Sequence, residues 1–340
     1  MGRIRKLYFF DKKSTEEMIS FLNNNVSDNY INQIMFNFFA PLHHLLPLSL
    51  KFLPESYVLK ENKTLKGLIT IAPIKNSNKK VEIEKLLFEE NSLADAAELV
   101  QFAVSKYKAM GATSVLVKVD DYLPELLNML VSKCSFSQIS YEKLWRVNKF
   151  IDSNFDKRCY RPFRNSDSQA VANLYNDSLA PHFRPLLSKD SKEFRENIFK
   201  GLSYYSEYKY VIENKKDHNL VGYISILTTD NENFLVDIIQ SNWVELDINS
   251  VLAYAVNRIS KRKKKFGVFV RTKRYVTLGD KYDKIFLDNG YECVQNQIVL
   301  TNSSAKILKE SEKSPKYTVI GQFCPAKPIS TSSTKICKDL

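Results

Sequence analysis

The sequence predicts an α/β (α+β) protein of two tandem, similar halves, each a mixed, mostly antiparallel sheet flanked by helices. Three observations predict it. AELVQFAVSKYKAMGATSVLVKVDDYLPELLNMLVSKCSF, ending near Phe136, and INSVLAYAVNRISKRKKKFGVFVRTKRYVTLGDKYDKIFLDNGY, ending at Tyr291, share one plan: amphipathic helix, buried strand, short helix, aromatic residue, then a final strand. Successive strand-like runs precede each copy. The length of 340 residues suits two domains, since one domain takes roughly 100–200 residues.

In the first half a strand is expected around Ile4–Phe10, then a helix capped by Ser14 with Glu17 at the capping-box position. The apolar run Ile34–Leu53 is broken by Pro41 and Pro47 and carries Asn37, His43, His44 and Lys51. It reads as helix and loop packed within the protein, not as a membrane span. SYVLKEN, TLKGLITIAP and KKVEIEKLLFEE follow as strands, the second rich in β-branched residues. In VEIEKLL, strict alternation puts Val81, Ile83 and Lys85 on one face and Glu82, Glu84 and Leu86 on the other. Ser92 precedes a helix on which Leu93, Ala96, Leu99, Val100, Ala103 and Tyr107 fall at helical spacing, and Gly111 ends it. TSVLVKV is a buried strand, Pro124 starts a short helix through Ser132, and SQISYEKLWRV closes the half.

After a polar connector near Ile151–Asp156 the order restarts. CYRPF is a strand and NSDSQAVANLYNDSL a helix capped at Asn165 or Ser166. A loop and helix follow in APHFRPLLSKDSKEFRENIFKGL, then three strands in YKYVIEN, LVGYISILTTD and NFLVDIIQSN. Asp247 caps INSVLAYAVNRISKRKKK, FGVFVRT is the buried strand, LGDKYDKIFLDNG the short helix and YECVQNQIVLTN the last strand. The expected division is 1–150, 155–302 and a polar, weakly ordered tail over 303–340, with a strand at YTVIGQF.

Composition bounds the function. A net charge of +12 favours a polyanionic partner, or reflects dispersed lysines used for solubility. Cys134, Cys159, Cys293, Cys324 and Cys337 lack any CxxC pairing, which points to a reducing cytoplasm and away from a zinc site. His43 and His44 are adjacent, so a helix would turn them to different faces and away from one metal. No run suits a signal peptide, Lys6 stands where myristoylation needs Ser or Thr, and CKDL lacks the aliphatic residues of a prenylation box.

This order resembles the GCN5-related N-acetyltransferase (GNAT) fold used twice, over roughly residues 1–302. LKGLITI and LVGYISI match the family's third strand, and FLDNGY matches its last helix and glycine. The resemblance implies a sheet that splays between its fourth and fifth strands, with acetyl-CoA or another acyl-CoA in the gap and its pyrophosphate on the following helix N-terminus. No metal is implied. The family's small positions fall at Ala94 and Ala96, so the implied cofactor residues are Leu87, Phe88, Ser92, Leu93, Ala94 and Ala96, with a backbone N–H near Leu87–Phe88 polarising the thioester carbonyl. The Arg or Gln of the family loop is missing near Asn91–Ser92. The same start in LFEENSLADA also reads as an ordinary capped helix.

In the second half the matching loop SNWVELDIN has no small residue and places Glu245 and Asp247 where a pyrophosphate would be repelled. The family's tyrosine acid is replaced by Phe286 before Gly290 and by Val131 before Ser135; Tyr282, one turn earlier than Phe286, is a substitute or a packed aromatic. Glu84, Glu82 and Asp237 are general-base candidates, or solvated strand carboxylates. His182 and Arg184, in the loop that shapes the family's acceptor pocket, are substrate-binding candidates or loop-packing residues. SKRKKKF complements a helix C-terminus, or contacts RNA phosphates. Three functions fit the resemblance: an acyl-CoA-dependent transferase acting on a small-molecule or peptide amine, a catalytically inert tandem binding protein or RNA, and an aminoacyl-tRNA-dependent transferase.

Overall fold

The computed structural model describes residues 3–7, 24–25, 55–62, 64–74, 79–88, 92–148, 155–196, 206–228 and 230–303. The chain divides into two compact units, Met1–Lys306 and Ile307–Leu340, and both copies of the repeat belong to the first. The Ser14 helix, the Ile34–Leu53 run, His43, His44, Cys324, Cys337 and the YTVIGQF strand lie outside the described residues.

The first half contributes strands β1 (Arg3–Lys6), β2 (Asn24–Asn25), β3 (Glu55–Glu61), β4 (Thr64–Pro73) and β5 (Lys80–Phe88), helix α1 (Leu93–Ala109), β6 (Ser114–Asp120), α2 (Pro124–Ser132) and β7 (Ser137–Arg146). The second adds β8 (Tyr160–Pro162), α3 (Ser168–Ser178), α4 (Arg184–Leu187), α5 (Ser191–Phe194), β9 (Ser206–Glu213), β10 (Leu220–Thr228), β11 (Asn233–Gln240), α6 (Ile248–Ser260), β12 (Gly267–Lys273), α7 (Gly279–Asp288) and β13 (Glu292–Ser303). One cap differs from expectation. A 3₁₀ turn at Asn165–Asp167 comes first, the Asp167 carboxylate accepts from the Arg164 N–H, and α3 starts at Ser168.

The thirteen strands of the described residues form one sheet, in the order β1-β3-β4-β5-β6-β13-β7-β12-β11-β10-β9-β8, with β2 alongside β5. The last strands are exchanged. β13, from the second half, runs antiparallel between β6 and β7, while β7, from the first half, pairs with β12. Each half's sheet is therefore completed by the other.

Helices α1, α2, α6 and α7 cover one face of this sheet in two separate cores, while Tyr175 of α3 and Phe194 of α5 pack with Tyr223 on the other face. Ile83, Val117 and Val119 pack with Leu99, Val100 and Ala103 of α1 and Leu126 and Leu130 of α2. Val236, Val270 and Trp145 pack with Val251, Leu252 and Ala255 of α6 and with Phe286 of α7. The two glycines of the strand signature have a shared physical reason, close approach. A Cβ on Gly67 would stand 2.8 Å from Leu99 Cδ1 and 3.0 Å from the Leu87 carbonyl; one on Gly222 would stand 2.8 Å from Leu246 Cδ1. The repeat also matches at its ends. Gly290 (φ 72°) and Ser135 (φ 57°) both turn through the left-handed region, each just before a buried aromatic residue, Tyr291 or Phe136.

Candidate functional site

In the first half, β5 and β6 pair in parallel only from Lys80–Ser114 to Ile83–Val117, and then part. At the parting point β5 carries one extra residue. Thr70 opposes Lys85 and Ile71 opposes Ile83, leaving Glu84 as a bulge. The bulge flips the strand's phase, so Leu86 and Phe88 join Val81 and Ile83 in the core. This corrects the strict alternation, which put Lys85 with Val81 and Ile83. Bulges bend a strand and redirect its side chains, as a splay requires.

Helix α1 begins beyond that splay. Asp95 N and Ala96 N bond to the Ser92 carbonyl. No acceptor for the amides of Leu93 and Ala94 is present among the described residues, and Ala94 is exposed. The Ser92 hydroxyl donates to the Asp95 carboxylate and leaves the backbone uncapped. Such an end, with its partial positive charge, accepts an anion. β2 modifies the picture. Asn24 and Asn25 pair antiparallel with Phe88 and Leu87. Because β4 takes the other edge of those residues, β2 lies on the edge facing β6. Between Ile83, the last residue paired with β6, and Leu87, the first paired with β2, the strand edge left over is Glu84–Leu86.

The second half splays at the equivalent place, after Val236–Val270, but without a bulge. Its mouth is spanned by an ion pair, Lys273 Nζ to Asp237 Oδ1 at 3.2 Å. Burial would raise the Asp237 carboxyl, but Lys273 and Arg271 outweigh it and hold the group well below the carboxylate range. Helix α6 is closed to anions, because the Asp247 carboxylate accepts from Asn249 N (3.0 Å) and from the Ser250 hydroxyl. Glu245 pairs with Lys281, and Trp243 is 90% exposed. The Tyr282 hydroxyl donates to Gln240 Oε1 at 2.6 Å, at the end of β11, and burial raises its phenol above the ordinary value.

A row of alternating charges joins the two splays on the sheet face opposite α1, α2, α6 and α7. Lys118 Nζ lies 3.4 Å from Glu82 and 3.2 Å from Glu142. Arg271 reaches Glu142 at 3.6 Å and Asp237 at 4.0 Å. The Tyr275 hydroxyl donates to Glu142 at 2.6 Å. Burial by itself would raise Glu142; the attraction of Lys118, Arg271 and Lys273 and the Tyr275 bond prevail and bring it down to about 2.

Asp120 differs. It ends β6, on the wall of the first splay opposite β5, and is 1% exposed. Gln297 Nε2 donates to it at 3.3 Å and Gln295 Nε2 donates as well, both from the exchanged strand β13. No lysine or arginine pairs with it among the described residues. Burial pushes its carboxyl up to about 6, against the lowering effect of the bonds from Gln295, Tyr122 and Gln297.

With this geometry established, the chain can be set beside known proteins. No protein-family model matches the sequence, and no curated protein matches it. Solved structures do match in shape. A tandem GNAT protein from the clavulanic acid biosynthesis pathway is 9% identical with a TM-score of 0.59, covering 90% of this chain and 99% of its own. A GCN5-related N-acetyltransferase from Sphaerobacter thermophilus is 8% identical with a TM-score of 0.60, covering 89% and 95%. The chain has the tandem GNAT fold. Within that fold, the sequence-predicted residues fall into two groups. Glu84, Leu87 and Phe88 line β5 of the first GNAT-like half, and Ser92, Leu93, Ala94 and Ala96 form the start of α1, with Leu87, Phe88 and Ala96 buried.

Asp237 and Tyr282 belong to the second splay, and so does Arg184. Its Nη2 donates to the Asp177 carbonyl at 3.3 Å, and Asn242 of the β11–α6 loop donates to the same carbonyl at 2.7 Å. His182 is exposed, its ring 3.9 Å from that of Phe183. The implied acceptor residues therefore sit beside one splay and the implied cofactor residues beside the other. Sequence reasoning missed Asp120, Lys118, Glu142 and Arg271. Their signal was charged residues set among the apolar residues of a strand, in LVKVD, YEKLW and FVRTK. Among the described residues no group of His, Cys, Asp or Glu side chains could hold a metal ion, and no helix is long and apolar enough to cross a membrane.

Proposed function

We propose that the chain transfers an acyl group from acyl-CoA to a small-molecule or peptide amine, at the splay of the first half. The supporting observation is a coincidence that, among the described residues, only that half shows: a bulge where β5 leaves β6, followed by a helix start whose first two amides bond to no acceptor there. Bound acyl-CoA would supply a thioester, from which the amine takes the acyl group as a thiolate departs. Leu93 N–H and Ala94 N–H hold the diphosphate, and Ala94 leaves room for it. Glu84–Leu86 supplies the amide that polarises the carbonyl, since β2 takes the Leu87–Phe88 edge first expected to do so.

Asp120, poised near pH 6, accepts the amine proton directly or through water, with Glu84 across the gap as the other carboxylate. Asp237 is a weak proton acceptor, because Lys273 and Arg271 stabilise its ionised form. The second half serves as partner, and β13 positions Asp120. We take 1–150 and 155–302 as the two GNAT-like halves and 303–340 as a tail. The free Cys134, Cys159 and Cys293 suit a reducing cytoplasm.

A second reading, an inert tandem scaffold, is favoured by β2, which fills the strand edge where the fold ordinarily places the acyl group. Calorimetric titration with acetyl-CoA decides between them. Saturable binding at one site supports the transferase; no heat at millimolar acetyl-CoA leaves the scaffold.

A further inference from the structure

We infer that the C-terminal end of α6 and the turn after it form a binding surface for the phosphate backbone of single-stranded RNA, independent of the splay chemistry. Arg258 lies in the last turn of α6 and Arg262 in the turn that follows, where its N–H bonds to the Ile259 carbonyl. Each guanidinium lies on a tyrosine ring. Arg262 is 3.8 Å from the centre of Tyr208, and Arg258 is 5.0 Å from Tyr210 and 5.6 Å from Tyr254. The rings are themselves anchored, since Tyr160 stacks on Tyr254 at 4.1 Å and 15°.

Stacking fixes the plane of each guanidinium and leaves its N–H edges to bond elsewhere. Those edges lack carboxylates. Among the described residues neither arginine has an acidic partner. Lys261, Lys264 and Lys265 are exposed and likewise have no acidic partner among the described residues. Only Lys263 of the run is paired, with Glu232 at 3.7 Å. Complementing the helix dipole needs about half a charge near the last turn; five cations with no acidic partner among the described residues exceed it.

The chemistry around the cations selects the partner. An acidic protein partner needs an apolar core to its interface, and a membrane surface needs apolar groups to insert. Among the described residues the exposed large apolar ones are Met110, Tyr122, Val131, Trp243 and Leu287, and none belongs to this segment. RNA needs what is present: cations for phosphates and guanidinium planes on which a base can stack.

The test is fluorescence anisotropy of a labelled 20-nucleotide oligo(A) RNA titrated with the full chain at 50–200 mM KCl. If all five cations contact phosphates, log K falls against log[KCl] with a slope near −3.5, about 0.7 per contact. The variant R258Q/R262Q/K264Q/K265Q should lower the slope to about −0.7 and weaken binding at least tenfold at about 100 mM salt. R262K, which keeps the charge and loses the planar stack, should keep the slope and bind several-fold more weakly. Should the fourfold variant melt early, K264Q/K265Q, at two exposed unpaired lysines, should still reduce the slope by about 1.4. The inference is overturned by no binding at 50 mM KCl, by an unchanged slope in both variants, or by polyglutamate or phosphatidylserine vesicles displacing the RNA.

Discussion

Replacing Ala94 by Glu should strengthen the fold and weaken the cofactor site, two effects of opposite sign from one carboxylate. Ala94 is exposed in the first turn of a 17-residue helix, beside the amides of Leu93 and Ala94, which bond to no acceptor among the described residues. The one acid already in that turn, Asp95, accepts from the Ser92 hydroxyl. A further carboxylate there meets the positive end of the dipole and adds roughly 0.3–1 kcal/mol of stability. The same charge about 4 Å from a phosphate is repelled by roughly 1 kcal/mol in bulk water, rising to about 4 kcal/mol at an effective dielectric of 20. Each 1.36 kcal/mol is tenfold, so acetyl-CoA affinity should drop by a factor between about 5 and 1,000.

Urea unfolding and isothermal titration read the two effects on one preparation, and Ala94→Gln serves as the neutral control. Unchanged affinity in the Glu variant, with stability preserved, would refute the placement of the diphosphate at α1. In parallel, Asp247→Asn on α6 should leave acetyl-CoA binding as it is, because that helix end is occupied by its own side chain.

Asp120→Asn should flatten the acyl-transfer pH profile, which in the parent rises as pH passes about 6. Because the folded group titrates above its unfolded value, the contribution of Asp120 is complete below about pH 4 and roughly 3 kcal/mol is lost as pH rises through 6; Asn removes that loss, as melts at pH 4 and pH 8 will show. Glu142→Gln leaves Lys118 and Arg271 facing a neutral group and should destabilise by about 3–5 kcal/mol at pH 7 in urea. The contribution of Glu142 has the opposite pH sense to that of Asp120: complete above the ordinary carboxylate range and lost as pH falls toward about 2. Gly279→Ala puts a Cβ 2.3 Å from the Lys273 carbonyl, so the backbone must shift, and the melt should show a loss of roughly 1–3 kcal/mol.

Much of the fold was legible because each element declares itself locally. Pro124 to Ser132, Gly111 at the end of α1 and the Asp247 cap are set by residues within one turn of each other. The Glu84 bulge also left a trace. Apolar positions run 81, 83, then 86, 88, a switch from odd to even that a strand can make only by inserting a residue. The strand exchange left none. β7 and β13 are both strands with buried and exposed positions, and nothing in such a pattern says which sheet a strand completes. Asp120 was hidden for the same reason, since its amide donors Gln295 and Gln297 come from the far end of the chain.

That exchange also explains how two similar halves can differ so much at their splays. The second half has filled its own mouth. Asp237 bridges to Lys273, Asp247 caps α6, and Glu245 takes Lys281, so three carboxylates stand where a diphosphate would need cations and bare amides. A separate domain that had lost its ligand site this way could be discarded. Here it cannot, because removing it would take β13 from between β6 and β7 and expose two long strand edges. It would also strip Asp120 of both glutamines. The second half is thus held in place by what it contributes to the first: a strand in the sheet and the two side chains that keep a buried carboxylate in position at the first splay.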